Sequence, residues 1–177
     1  MDITKEIKLA QQGDRDAFIG LFRQIESGLY GTARAMVKKE EDIADALQET
    51  IMKAYKSLDT LREPEFFQTW VYRILINECS NILKKRSRSV IMDKLPEATA
   101  APHASDSVEM RMLVDKLEEQ LRIVTVLYYF QDMPLKQVAD TLQITEGAVK
   151  TRLYRARKLL MEELTCSEEG SMKYESL

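Results

Sequence analysis

Five basic side chains fall within nine positions near the carboxyl end of a chain whose formal net charge is −3. They are Lys150, Arg152, Arg155, Arg157 and Lys158. Apolar residues are threaded between them at helical spacing, which places the charges on the outward side of a helix. Ammonium and guanidinium groups bind phosphate, and arginine also recognises base edges. The stretch predicts a surface for nucleic acid, the alternative being a solvated helix end whose cations complement the helix dipole.

Aromatic rings and a basic run form a second cluster, in the segment FFQTWVYRILINECSNILKKRSR. Phe66, Phe67, Trp70 and Tyr72 lie within seven positions, ahead of the run KKRSR. Flat rings stack on unpaired bases while cations neutralise phosphates, the combination that single-stranded nucleic acid requires. The alternative is that the rings are core residues. Because they fall on two faces of one helix, and a thin domain cannot bury both equally, we expect some aromatic surface to remain for a ligand.

Acidic residues concentrate at the start of another predicted helix. Glu40, Glu41, Asp42, Asp45 and Glu49 lie within ten positions that contain no basic residue. Acidic side chains at the amino end of a helix complement its dipole, so a solvated face accounts for them without a partner. A docking face for a partner protein is the alternative.

Residues that could support catalysis are sparse. The only histidine, His103, lies among Pro and Ser residues, where a general base could not be held rigidly beside a nucleophile. Cys79 and Cys166 lack metal-ligand spacing and a neighbouring histidine, which is typical of free thiols in a reducing compartment. The sequence contains no glycine-rich phosphate loop, paired-histidine helix or calcium loop. We therefore predict a protein that is not an enzyme and that holds neither a metal nor another cofactor.

The carboxyl-terminal basic cluster belongs to a predicted helix-turn-helix. LKQVADTL, from Leu135, has the length of a two-turn helix, QIT is a short turn, and EGAVKTRLYRARKLL is a longer second helix. Thr145 is placed to cap the second helix, and Val149, Leu153 and either Ala156 or Leu160 form its buried stripe. The outward residues of such a helix meet base edges in the major groove of duplex DNA. They are Glu146, Lys150, Thr151, Arg152, Tyr154 and Arg155, with Arg157 and Lys158 further along for phosphates.

Composition and periodicity divide the chain into two helical halves. With 45% hydrophobic and 31% charged residues, but only 6 Gly and 4 Pro, the chain is predicted to be all-α. Residues 1–89 and 108–164 are helix-compatible, whereas residues 90–107 lose periodicity and are predicted to be a flexible linker. The acidic end, residues 165–177, is expected to be disordered. No apolar run reaches the roughly 18 to 20 residues that cross a bilayer, and no signal peptide is apparent, which predicts a cytoplasmic protein.

Helix signals in the first half are specific enough to test. Asp14 is placed to cap a helix that carries Phe18 and Leu21, and a separate helix is predicted from about Leu29 to Val37. A further helix from Glu41 to Leu58 has apolar residues at spacings of four, four, four and three, which predicts a buried stripe. Its members are Ile43, Leu47, Ile51, Tyr55 and Leu58. Pro64 favours a helix start just beyond it.

Two motif blocks carry a family resemblance. DIADALQETIMKAYKSL, then FFQTWVYRILINECSNILKKR, a linker and VTVLYYFQDMPLKQVADTLQITEGAVKTRLYRARKLL resemble the extracytoplasmic-function group of bacterial sigma factors, in the sigma-70 family. The likeness covers about residues 5 to 164. It implies that residues 1–89 are sigma region 2 and residues 108–164 are region 4. The chain is thus expected to be an alternative sigma factor that directs core RNA polymerase to promoters.

The resemblance implies a partner for the acidic helix. Asp45, Gln48 and Glu49 match the segment that docks on the clamp helices of the large polymerase subunit, which favours the docking interpretation over a solvated face. The flap of the large subunits is a further implied contact of the family. An anti-sigma factor that masks both domains is another implied partner, and it could hold the chain at the membrane.

The resemblance also assigns the DNA contacts. The aromatic segment matches the part of the family that opens the promoter and reads the minus-ten element on the non-template strand, and the loop Asp59 to Glu65 is implied to hold a flipped-out base. The implied melting and stacking residues are Phe67, Trp70, Tyr72 and Arg73. Those implied to read bases or grip the backbone are Asn77, Asn81, Lys84, Lys85 and Arg86. The helix-turn-helix matches the part that reads the minus-thirty-five element as duplex.

Two positions depart from the family pattern. Glu78 stands where many members carry an apolar residue, and Asn81 stands where many carry Asp, so the family's promoter sequence does not carry over. The rival hypothesis is a stand-alone helix-turn-helix regulator whose first domain senses a ligand or dimerises. A helical enzyme with a DNA-binding tail is disfavoured because catalytic constellations are missing from the sequence.

Overall fold

The structure, a computed structural model, describes residues 3–89 and 106–172 and places two helical units in them. Its described regular structure is entirely helical, so the all-α prediction is confirmed. Of the predicted linker, residues 90–107, the structure describes only residues 106 and 107, which begin the fifth α-helix. No helix within the described ranges is both long and apolar enough to cross a membrane.

The first unit contains four helices. They are α1 (Ile3–Gln11), α2 (Arg15–Met36), α3 (Glu40–Ser57) and α4 (Phe67–Ser89). Four more helices follow, and the second unit is built from them except for residues 140–142. They are α5 (Asp106–Lys116), α6 (Glu119–Thr125), α7 (Leu135–Leu142) and α8 (Glu146–Met172).

The turn between α1 and α2 follows the sequence signals. Gly13 has a φ of +96°, a left-handed conformation that L side chains rarely adopt, and it lets the chain reverse in a few residues. The Asp14 carboxylate then accepts hydrogen bonds from the backbone N–H groups of Asp16 and Ala17 at 3.0 and 3.1 Å. These bonds satisfy donors that the first turn of α2 leaves unpaired, so the predicted cap is confirmed.

The helix predicted separately from Leu29 to Val37 is instead the second half of α2. Gly28 and Gly31 lie inside that helix, where each costs roughly 1 kcal/mol relative to alanine. Leu29 and Ala33 are nevertheless buried on the same side as the core residues of the first half. Burial of this continuous apolar stripe outweighs the glycine penalty, and the helix does not break.

The buried face of α3 differs from the predicted stripe. Ile51 and Tyr55 are 42% and 47% exposed. Four residues at 3.6 per turn overshoot a full turn by roughly 40°, so a row spaced by four rotates steadily away from the core. The buried residues of α3 are Ile43, Ala46, Thr50 and Ala54. Three of them are small, which allows α3 to lie close to α4.

The second unit begins with two short helices, α5 and α6. α6 ends at Thr125 and passes into a π-helical turn, Val126–Phe130, which widens the helix before the chain turns toward α7. The core of this unit combines apolar residues of α5, α6 and α8. They include Val114, Leu117, Leu121, Val124, Leu127, Val149 and Leu153.

The helix-turn-helix is confirmed as α7, a three-residue turn and α8. Gln143 ends α7 in a left-handed conformation, with a φ of 54°. The Thr145 hydroxyl accepts a hydrogen bond from the Ala148 N–H at 3.1 Å, as the predicted cap requires. Val149, Leu153 and Ala156 are buried, so the predicted stripe is also confirmed. The structure continues α8 through Met172, into the segment that we expected to be disordered.

A buried arginine joins α5 to α6. Arg122 is 7% exposed, and its Nη1 donates hydrogen bonds to the carbonyl oxygens of Leu117 and Asp115 at 2.8 and 3.1 Å. Carbonyls at the end of a helix lack partners within it, and a cation at that end also complements the helix dipole. Arg122 therefore closes the end of α5 and fixes the α5–α6 turn.

We expect Arg122→Ala to lower the free energy of unfolding of the second unit by about 2–3 kcal/mol, because two carbonyls lose a charged donor. Urea unfolding followed by far-ultraviolet circular dichroism measures this change. Trp70 is the only tryptophan of the chain and lies in the first unit, so its fluorescence reports that unit separately. Arg155→Ala, on the exposed side of α8, is the matched control. Equal unfolding curves for the two variants would contradict the assigned role.

Candidate nucleic-acid and partner surfaces

The aromatic segment divides between core and surface. Phe67 and Tyr72, both predicted to contact DNA, are 1% and 0% exposed. Phe66, which was not among the predicted contacts, is 44% exposed, and Trp70 is half-buried. The expectation that some aromatic surface remains for a ligand is therefore met, but by Phe66 and Trp70 only.

Packing within the first unit explains why Phe67 and Tyr72 are internal. The Phe67 ring meets the Phe22 ring edge-on at a centroid distance of 6.1 Å and lies 6.3 Å from the Trp70 ring. Burial raises the pKa of Tyr72, and the neighbouring polar side chains of Gln68 and Thr32 act in the opposite direction. In this conformation neither ring can stack on a base.

The exposed side of α4 and the turn before it form one continuous row, which we call the α4 stripe. Its members recur at spacings of three and four, so they share one helical face. They are Phe66, Trp70, Arg73, Asn77, Asn81 and Lys84. Along the stripe, two rings are followed by an arginine, two side-chain amides and a lysine. Phe66 could have been found from sequence, because it lies four residues before Trp70 on the same face.

A groove of about 780 Å³ lies between α3 and α4. One wall is formed by Asp45, Gln48 and Glu49, the three predicted polymerase contacts, and all three are exposed. The facing wall includes Asn81, Lys84 and Lys85 from α4. An acidic wall and a basic wall therefore face each other across one groove of the first unit.

Two ion pairs connect α3 to α4. Lys53 Nζ lies 2.6 Å from Glu78 Oε1, and Arg86 Nη2 lies 2.7 Å from Asp42 Oδ2. The Glu78 side chain is only 13% exposed, so this departure from the family pattern faces the lysine of α3. Arg86, predicted to contact DNA, is engaged by Asp42 on α3.

The outward face of α8 carries the predicted duplex contacts. Arg152 is half-buried, and the others are exposed, Tyr154 to 67%. The exposed ones are Glu146, Lys150, Thr151, Tyr154, Arg155, Arg157 and Lys158. We call this set, with Arg152, the α8 basic face. It presents cations and a ring over more than two turns of one helix.

Three members of the α8 basic face also make contacts within the helix. The Thr151 hydroxyl donates to the Gly147 carbonyl at 2.9 Å, and Arg157 Nε donates to the Leu153 carbonyl at 3.3 Å. Lys158 Nζ lies 3.9 Å from Glu162 Oε1, one turn further along. Arg157 and Lys158 are thus held near the helix surface, as suits contact with a backbone phosphate more than with a base edge.

Comparison with protein families gives two matches. The Sigma-70 region 2 family matches residues 21–89, and the Sigma-70, region 4 family matches residues 107–160. Together the matches cover more than half of the chain. The α4 stripe and the groove lie within the first match, and the α8 basic face lies within the second, whereas α1 lies outside both.

Individual relatives are similar over most of their length. The chain is 32% identical to RNA polymerase sigma factor SigV of Bacillus subtilis, covering 77% of this chain and 84% of SigV. It is 28% identical to ECF RNA polymerase sigma factor SigW of the same organism, covering 93% and 97%. The sigma factor RpoE of Bartonella quintana, solved with the anti-sigma factor NepR, shares the fold with a TM-score of 0.75. That likeness is at 24% identity and covers 84% of this chain and 96% of RpoE.

The buried Tyr72 predicts an alkaline loss of stability. Its raised pKa keeps the phenol protonated in the folded state above pH 10, where an unfolded chain ionises, so stability falls as pH rises. We expect an added slope of up to about 1.4 kcal/mol per pH unit above that point. Unfolding in urea, followed by Trp70 fluorescence up to about pH 11, compares the chain with Tyr72→Phe. Identical slopes for the two proteins would mean that the phenol does not resist ionisation.

Proposed function

Because the chain belongs to the sigma-70 family of RNA polymerase sigma factors, in its extracytoplasmic-function group, we propose a division of labour among its three surfaces. The chain is a promoter-directing initiation factor that binds core RNA polymerase and promoter DNA and is not an enzyme. The rival hypothesis of a stand-alone regulator is set aside by this membership. What remains to be assigned is which surface meets which partner.

The acidic wall of the α3–α4 groove is proposed to dock on core polymerase. Asp45, Gln48 and Glu49 are exposed on consecutive turns of α3. Two ion pairs with α4 hold that helix in place. Carboxylates on a rigid helix face suit a partner that presents cations, because complementary charge favours both orientation and fast association.

The α4 stripe is proposed to hold the opened non-template strand. Phe66 and Trp70 supply ring surface on which bases stack, at roughly 1–3 kcal/mol per base. Asn77 and Asn81 present amides that can donate to and accept from base edges, and Lys84 follows for the backbone. The exposed loop Asp59 to Glu65 lies immediately before the stripe, and we propose that it holds a flipped-out base. The presence of rings, amides and cations on one face of α4 is the observation that carries this proposal.

The α8 basic face is proposed to read duplex DNA in the major groove. Arg155 is exposed near the amino-terminal part of α8, where a recognition helix contacts base edges. An arginine that bonds guanine with both donors of its fork is worth about 1–3 kcal/mol of discrimination. Because both DNA contacts belong to one chain, binding of one unit raises the local concentration of the other.

Two further assignments follow from this role. The net charge of −3 limits sequence-independent binding of the free chain to DNA, which phosphate charge would otherwise drive. A location in the cytoplasm fits a protein that works on core polymerase. We also propose an anti-sigma partner, by analogy with the complex of RpoE and NepR.

Transcription with purified core polymerase tests the initiation role directly. Addition of the chain should give transcripts with fixed start sites from a template selected out of a randomised promoter pool. A chain that footprints duplex DNA alone, yet gives no promoter-directed initiation with core polymerase, would overturn the proposal.

Arg155→Ala should lower initiation that depends on the minus-thirty-five element by about tenfold or more, because a bidentate base contact is lost. Arg152→Ala should act in the same direction. Affinity for core polymerase, measured by fluorescence anisotropy of the labelled chain, should not change. Arg155→Lys keeps the charge but loses the fork, so it should recover little initiation if the residue reads a base. Equal loss of initiation and of polymerase affinity would show that the substitution merely unfolded the unit.

Phe66→Ala should weaken binding of the polymerase complex to a single-stranded non-template oligonucleotide by about tenfold, through loss of one stacking surface. Phe66→Tyr keeps the ring and should bind normally. Phe67→Ala should act differently, since removal of a buried ring lowers the free energy of unfolding by about 3–5 kcal/mol. Trp70 fluorescence during urea unfolding separates the two effects. Normal oligonucleotide binding by Phe66→Ala would remove Phe66 from the contact surface.

A further inference from the structure

The side chain of Gln11, at the carboxyl end of α1, is bonded to a loop almost fifty residues away in sequence. Its Nε2 donates to the carbonyl oxygen of Leu58 at 2.9 Å and to that of Leu61 at 2.8 Å. Both acceptors are carbonyls, so only the amide nitrogen, with its two N–H donors, can face them. One partly buried side chain thus holds two points of the same loop.

That loop joins α3 to α4 and has an internal and an external side. It is formed by two short 3-10 turns, Leu58–Thr60 and Pro64–Phe66. Leu58 and Leu61 are buried and anchor it to the unit. The residues between and after them are exposed, namely Asp59, Thr60, Arg62, Glu63 and Glu65. The loop therefore presents polar side chains to solvent from a backbone that is fixed from behind.

Local hydrogen bonds converge on the same backbone. The Leu61 N–H donates to the Leu58 carbonyl at 3.2 Å, so that carbonyl accepts from both the loop and Gln11. The Thr60 hydroxyl donates to the Ser57 carbonyl at 2.6 Å. Gln11 is the contact in this set that comes from outside the loop and its flanking helix. It is the bond through which α1, which lies outside both family matches, acts on the loop.

We infer that Gln11 is a positioning residue that sets base selectivity in the Asp59 to Glu65 loop. The inference rests on the proposed function, in which that loop holds a flipped-out base. Discrimination between bases requires donors and acceptors to be held within a fraction of an ångström, by groups that are themselves fixed. A loop released from Gln11 can still contact the sugar-phosphate backbone, but its polar groups lose their fixed relation to the base edge.

The test compares Gln11→Glu with Gln12→Glu. Both substitutions add one negative charge at neighbouring positions, but only the first replaces an amide donor by a carboxylate that cannot donate to two carbonyls. Gln12 is exposed, and its side chain takes no part in the two bonds to the loop. Gln11→Ala, which removes the donor without adding charge, is the second variant. Trp70 fluorescence during urea unfolding shows whether each variant is folded.

The readout is base preference in the opened strand. The full chain, bound to core polymerase, retains oligonucleotides from a single-stranded pool randomised over the minus-ten element, and sequencing gives the ratio of favoured to disfavoured base at each position. We expect Gln11→Glu and Gln11→Ala to lower this ratio about tenfold at one position and to leave the other positions, and the Gln12→Glu pattern, unchanged.

Two results would overturn the inference. One is an unchanged ratio at every position in folded Gln11 variants. The other is weaker retention of all sequences with every ratio preserved, which is the mark of a general loss of stability. Failure of the proposed function looks different, because the unsubstituted chain with core polymerase would then retain no preferred sequence at all.

Discussion

The close packing of α3 on α4 is the constraint on which the first unit depends. Ala46, Thr50 and Ala54 are small enough for the two helices to approach, and the Thr50 hydroxyl donates to the Ala46 carbonyl at 2.6 Å, so it adds no unpaired polar group to the contact. The ion pairs Arg86–Asp42 and Lys53–Glu78 also connect the two helices, about three turns apart along α3. Because of this packing, a wall that suits a polymerase and a stripe that suits single-stranded DNA are carried by adjacent helices. In the proposed function, binding of either partner would therefore fix the position of the surface for the other.

Elements with strong local signals were predicted well. Asp14 and Thr145 cap the helices that they were expected to cap, and the buried stripe of α8 falls where its spacing placed it. A cap involves a side chain and the next few backbone N–H groups, so it can be recognised in a short window. The helix-turn-helix consists of such windows in succession. Its outward face could therefore be read from the residues that remain after the cap and the stripe are assigned.

Features that depend on distant residues were predicted poorly. The four-residue spacing on α3 indicated a core that includes Ile51 and Tyr55, but α4 covers a different side of that helix. Phe67 and Tyr72 were assigned to DNA by the family resemblance, whereas Phe22 and the rest of the core enclose them. The contact of Gln11 with Leu58 and Leu61 has no signal in a local window at all. In each case the outcome depends on which part of the fold packs against the residue, and sequence periodicity alone does not show this.

The ion pairs of the first unit also bear on how the chain responds to salt. When a cationic side chain binds a phosphate, it displaces a counterion condensed on the nucleic acid, and the affinity falls with salt in proportion to the number displaced. Arg86 already faces Asp42, and Lys53 faces Glu78, so neither brings a full uncompensated charge to the DNA. Lys84 and Lys85 lie on the opposite wall of the groove from Asp45 and Glu49. If this unit holds the opened strand as proposed, it releases fewer counterions than its count of lysines and arginines, and that binding is correspondingly less sensitive to ionic strength.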